Sequence, residues 1–110
     1  MTRYVQEIVV FAAKYGLKIS GVDASDVTLI ARLELLPSVF IQIYRNSQKN
    51  KLNLALILGN SRIYGFDSEG GITHQHPLED PESHILIGQM PEIEEFILES
   101  LAFLKKKDLI

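Results

Sequence analysis

The chain has 110 residues, 46% hydrophobic and 23% charged with only four Pro, the balance of one folded domain rather than a disordered tail. It contains no cysteine, which excludes disulfides, thiolate catalysis and cysteine-bound zinc and makes a reducing cytoplasm its natural location. A formal charge of −3 excludes a strongly basic, general nucleic-acid binder.

The N-terminal segment reads as an amphipathic helix. Thr2 is placed to cap it, and Tyr4, Val5, Ile8, Phe11, Ala12 and Tyr15 recur at spacings of three and four before Gly16 stops it. Its apolar run, like Ile85-Leu86-Ile87, is far shorter than the roughly 18–20 residues that span a bilayer. Arg3 followed by Glu7, without a small-residue cleavage pattern, fits a mature helix and not a secretion signal.

After Gly16 the period changes to two. Short β-rich runs predict strands at 17–22, 26–36, 38–46, 51–58, 62–67 and 71–76, broken by Asp23-Ala24-Ser25, Pro37, Ser47-Gln48-Lys49-Asn50, the Gly59-Asn60-Ser61 region and Ser68-Glu69-Gly70. These breaks are short enough for hairpins, so the sheet reads as an antiparallel meander. The last segment returns to helical spacing, with Pro91 suited to the first turn and Ile93, Phe96, Ile97, Leu101 and Leu104 in one stripe. Glu92, Glu94 and Glu95 at its start and Lys105, Lys106 and Lys107 at its end complement the helix dipole. The expected architecture is α+β in a single domain: a twisted antiparallel meander of five to six strands, with the N-terminal and C-terminal helices on one side. One sheet face then awaits a second copy or a different protein.

Register decides which side chains share that face. A four-residue loop at 47–50 sets Val39, Ile41 and Ile43 opposite Leu58, Leu56 and Leu54 and buries the leucine side. A two-residue turn near Asn60 then puts Ile63 and Gly65 on the leucine side and sends Arg62, Tyr64 and Phe66 to the other, with Phe40, Gln42 and Tyr44. The turn 67–71 fits a bulged hairpin pairing Asp67 with Gly71, which sets Ile72 against Phe66, His74 against Tyr64 and His76 against Arg62. Imidazoles, guanidinium and phenol are thereby expected on one side of the sheet.

Charge is uneven along the chain. Between Glu34 and Asp67 there is no acid, while Arg45, Lys49, Lys51 and Arg62 are all positive; from Asp67 to Glu99 the bias reverses, with no Lys or Arg. This suits either two solvated faces of opposite sign or a local basic site for an acidic or phosphate-bearing partner.

All three histidines, His74, His76 and His84, fall within one 15-residue stretch. Three readings are open. The first is a metal site of the three imidazoles, completed by Glu79, Asp80 or Glu82, which would suit zinc or another divalent ion. In the second no cofactor is needed. One imidazole is the base and another the acid of a ribonuclease or phosphodiesterase, Arg62 holds the phosphate, and Tyr64 donates a hydrogen bond or stacks on a base. The third is an ordinary hydrogen-bonded sheet edge in a structural, dimerising domain. The binding face in any of these draws on Phe40, Tyr44, Arg45, Lys51, Arg62 and Tyr64. The glycines form no phosphate-cradling loop ahead of a helix, and Ser83 beside His84 lacks a third partner for serine-hydrolase chemistry.

From about Val39 to His84 the basic hairpin, the strand Arg62-Ile63-Tyr64-Gly65-Phe66-Asp67 and the closing His74-x-His76-Pro77…His84 segment resemble the TumE-like family of small prokaryotic toxin–antitoxin proteins. Gln75 splits the histidines here, where that family has an adjacent pair. The resemblance implies a helix-flanked antiparallel sheet and a cytoplasmic, growth-inhibiting protein neutralised by an antitoxin-like partner encoded beside it. On this reading the chain is a small interaction or regulatory protein working through its Arg/Tyr/His face on a protein partner or on itself as a homodimer, with RNA as another ligand and no membrane.

Overall fold

The computed structural model describes residues 2–77 and 85–110. Helix α1 spans Thr2–Tyr15 and helix α2 spans Ile93–Lys106, and between them lie β1 (Lys18–Ala24), β2 (Thr28–Leu36), β3 (Val39–Asn46), β4 (Lys51–Leu58), β5 (Ser61–Glu69), β6 (Ile72–His76) and β7 (Ile85–Ile87). The strands form one seven-stranded sheet in sequence order, every neighbouring pair antiparallel. The meander therefore has one strand more than the upper expectation, because Ile85-Leu86-Ile87 pairs with Thr73-His74-Gln75. Three apolar residues carry too little periodicity to announce a strand.

Both helices lie on one face, as expected. Glycine at position 16, with φ 65°, closes α1, and the Leu17 amide donates back to the Ala12 carbonyl at 2.8 Å. The α1 stripe buries Ile8 and Ala12 over β1 and β2. The α2 stripe seals Ile93, Phe96, Ile97 and Leu104 over the centre of the sheet. Helix α2 begins one residue after Glu92, whose amide donates to the Glu95 carboxylate at 3.1 Å, so Pro91 precedes the cap rather than opening the first turn. The sheet supplies Leu29, Ala31, Leu33, Val39, Ile41, Ile43, Leu54 and Leu56 to the same core. No helix among the described residues is long and apolar enough to cross a membrane.

The two helices are tied where the end of α1 meets the start of α2. The Lys14 ammonium and the Tyr15 hydroxyl each donate to Glu94 Oε2 at 2.6 Å. The bond from Lys14, then that from Tyr15, holds the Glu94 carboxyl below its ordinary pKa, and the same contact raises Lys14. A depressed carboxyl contributes stability that is present above its unfolded pKa and lost as pH falls through its folded one. Thermal unfolding followed across acid pH is expected to show a midpoint that falls below the ordinary carboxylate range, with part of that fall missing in Glu94→Gln. An identical pH profile in the variant would remove the contact from the account.

Candidate functional site on the sheet face opposite the helices

The β3–β4 register is the expected one, with Val39, Ile41 and Ile43 opposite Leu58, Leu56 and Leu54. The two-residue turn at Gly59 and Asn60 also forms, with Gly59 at φ 64°. Beyond it the structure departs from the expectation. Ile57 pairs with Arg62 but Leu56 pairs with Tyr64, so Ile63 is an extra residue and parity inverts from there on. Tyr64 and Phe66 therefore enter the core, where their rings contact each other at 5.3 Å and Phe96 at 5.5 and 5.9 Å. Size explains the choice: simple alternation would bury Ile63 and Gly65 and leave two aromatic rings to water, and the bulge exchanges the poorer pair for the richer. A Tyr64-Gly65-Phe66 run, in which one parity holds both rings and the other holds no side chain, was the signal in the sequence that favoured this outcome.

The next hairpin corrects the register a second time. Gly70 and Gly71, at φ 59° and 88°, make a two-residue turn that pairs Glu69 with Ile72, the tight form that positive φ at both positions permits. Asp67 thus faces His74 and Gly65 faces His76, in place of Gly71, and of Arg62 opposite His76. Two parity changes cancel for the histidines. His74 and His76 reach the side away from the helices, together with Arg62, Asp67, Phe40, Gln42 and Tyr44.

Two residues expected there lie on the helix side instead. Tyr64 donates its hydroxyl to Glu99 Oε2 of α2 at 2.5 Å. Arg45 shares the parity of Ile43 and places its guanidinium 3.9 Å from the Tyr4 ring centroid of α1, because β3 alternates from Val39. The shared side proposed for imidazoles, guanidinium and phenol thus holds for His74, His76 and Arg62 and fails for Tyr64. His84, Glu79, Asp80 and Glu82 lie outside the described residues, so the three-histidine metal arrangement does too. Among the described residues no three His, Asp or Glu converge as a ligand set.

A short chain of polar groups crosses β5 and β6. His76, fully buried, has Nε2 at 2.6 Å from Asp67 Oδ2, and the same oxygen lies 3.7 Å from Arg62 Nη1. Gly65 sits between them, and a Cβ there would fall 2.6 Å from the Leu54 carbonyl oxygen and 3.3 Å from Arg62 Cδ. Only a residue without a side chain lets β4 approach and lets Arg62 lie along β5 toward Asp67. Gly65→Ala is expected to lower stability by about 2–3 kcal/mol, through strand displacement, and to shift the amide resonances of Leu54 and Ala55. An unperturbed urea midpoint would show that β4 yields freely.

Around this chain the face has two adjoining depressions, each of a few hundred Å³. One, of about 340 Å³, is lined by Gln42, Tyr44, Lys51, Asn53, Ala55, Arg62 and Asp67. The other, of about 320 Å³, lies between Lys51, Asn53, Asp67, Ile72 and His74. Lys51 pairs with Glu69 at 3.7 Å, and Arg32 lies 4.4 Å from the Phe40 ring centroid while its Nε donates to Gln42 at 3.2 Å. Of the six residues expected to bind, Phe40, Tyr44, Lys51 and Arg62 are brought together here. Asn53 and Ala55 on β4, which alternate with the buried leucines, join them, as do Arg32 and Ile30 on β2, which sequence reasoning did not place on the face. The alternation of β2 against Ala31 could have found those two. No protein-family model matches the chain, and neither a curated protein nor a solved structure resembles it significantly.

Proposed function

We propose that the chain is a small cytoplasmic interaction protein that recognises a protein partner through the face of its sheet opposite the helices, in the regulatory manner that the toxin–antitoxin resemblance implies. The observation that carries this reading is the neutralised character of the face. Arg62 is paired with Asp67 and Lys51 with Glu69, while Arg32 keeps its charge but is held over Phe40 with its Nε donating to Gln42, so two of these three cations are neutralised and little of the surplus positive charge that phosphates demand remains. Aromatic rings and arginines beside apolar residues are instead the composition of protein contact surfaces.

Phosphodiester chemistry finds less support. It needs an acid, a base and a phosphate holder converging on one accessible point. His76 is fully buried against Asp67 and Tyr64 is engaged on the opposite face. Of the proposed catalytic set, the described residues offer such a point His74 and Arg62.

The test is co-expression with the product of the adjoining reading frame, together with titration of fluorescent single-stranded RNA at low and moderate salt. Co-purification that is lost in Ile30→Glu and kept in the helix-surface variant Val10→Glu is the expected result, with no RNA binding. RNA affinity that falls steeply with salt, or cleavage of RNA abolished by His74→Ala, would replace this reading with the nuclease one.

A further inference from the structure

We infer that, in the chain expressed alone, the occupant of the sheet face opposite the helices is a second copy of the same chain, packed sheet against sheet about a two-fold axis. The inference rests on the reading of that face as a protein-binding surface, and adds the identity of the molecule that covers it.

The first argument is charge. A face of one sign repels its own copy, whereas this one carries both signs interspersed: Arg32, Lys51 and Arg62 with Glu34, Asp67 and Glu69. A two-fold operation brings each patch against the same surface of the partner, so only a self-complementary distribution closes. The second is extent. Seven strands at the usual spacing, several residues long, present roughly 700 Å², close to the roughly 800 Å² that each partner contributes to a standard interface.

Relief supplies a third argument. Position 55, at the middle of the central strand, is alanine. A low centre lets two sheets settle near the roughly 10 Å separation at which facing side chains interdigitate. Ile30, 41% exposed, then gains an apolar cover, and Arg32 is already fixed over Phe40 before association, so little rotamer freedom is lost there.

Light scattering coupled to size exclusion, with the full chain at concentrations from micromolar to hundreds of micromolar, decides the matter. The expected mass is twice that of the chain. Ala55→Arg, which sets a bulky cation against its own symmetry mate at the centre, is expected to halve it. Ile30→Glu, an exposed position whose replacement leaves the core untouched, is expected to weaken the dimer at least tenfold. Val10→Glu on the outer surface of α1, where valine is 60% exposed, is expected to leave it intact.

A monomeric wild type throughout the range, or a dimer that survives both face variants with circular dichroism unchanged, overturns the inference. Either result leaves the broader reading standing if the neighbouring gene product still binds the face. Loss of that binding with a persistent, face-dependent dimer would remove the heterologous partner and keep the self-association.

Discussion

Truncating Phe96 to alanine is expected to cost about 3–5 kcal/mol, the range for deleting a fully buried aromatic side chain and leaving a cavity. Its ring is sealed from solvent and packs on both Tyr64 and Phe66, so the loss falls on the contact that favours the β5 bulge. A domain of this size has only about 5–15 kcal/mol in total, so the variant should populate unfolded chain at modest urea. The measurement is the urea midpoint, with Leu98→Ala as reference: that leucine is 48% exposed on the same helix and should shift stability by less than about 1 kcal/mol. Equal midpoints would mean that the aromatic trio does not anchor α2. A second consequence is local. If Tyr64 and Phe66 lose their reason to face inward, β5 can relax toward simple alternation, and the β5–β6 amides should lose hydrogen-exchange protection before those of β2 and β3.

His76→Ala is expected to cost about 2–4 kcal/mol, because it empties a buried site and strips Asp67 of its shortest hydrogen bond. The reciprocal change, Asp67→Ala, leaves a buried imidazole without that acceptor and releases Arg62 as well. A double-mutant cycle between the two should return a coupling of about 1.5–3 kcal/mol, the range for a hydrogen bond to a charged group. Two additive single changes would mean that the 2.6 Å contact contributes nothing net. His74→Ala, at a half-buried position opposite Asp67, should cost less than His76→Ala. The contrast separates two histidines that the sequence presents as equivalents. One is part of the framework that orders the face, and the other lines a depression open to a partner.

The distance between these predictions and the expectations from sequence lies in two hairpins. Helix α1, helix α2 and the β3–β4 register were legible because each is fixed by many residues repeating one period, so that no single side chain can overrule the pattern. The β4–β5 and β5–β6 connections are not of that kind. One extra residue at Ile63 inverts every side chain that follows, and its benefit is earned only against Phe96, more than thirty positions along the chain. The strand by itself carries no information about that ring.

Local pattern thus settles the class of the fold, the side on which the helices lie and the leucine core, whereas the two histidines join Arg62 only because two register changes cancel. The first three follow from hydrophobic periodicity and turn residues, which act locally. Long-range packing alone turns Tyr64 toward the helices, seals His76 against Asp67 and adds a three-residue seventh strand to the sheet. Those outcomes depend on which long-range partner buries the larger apolar surface, a comparison that residues separated along the chain can settle only after they have met.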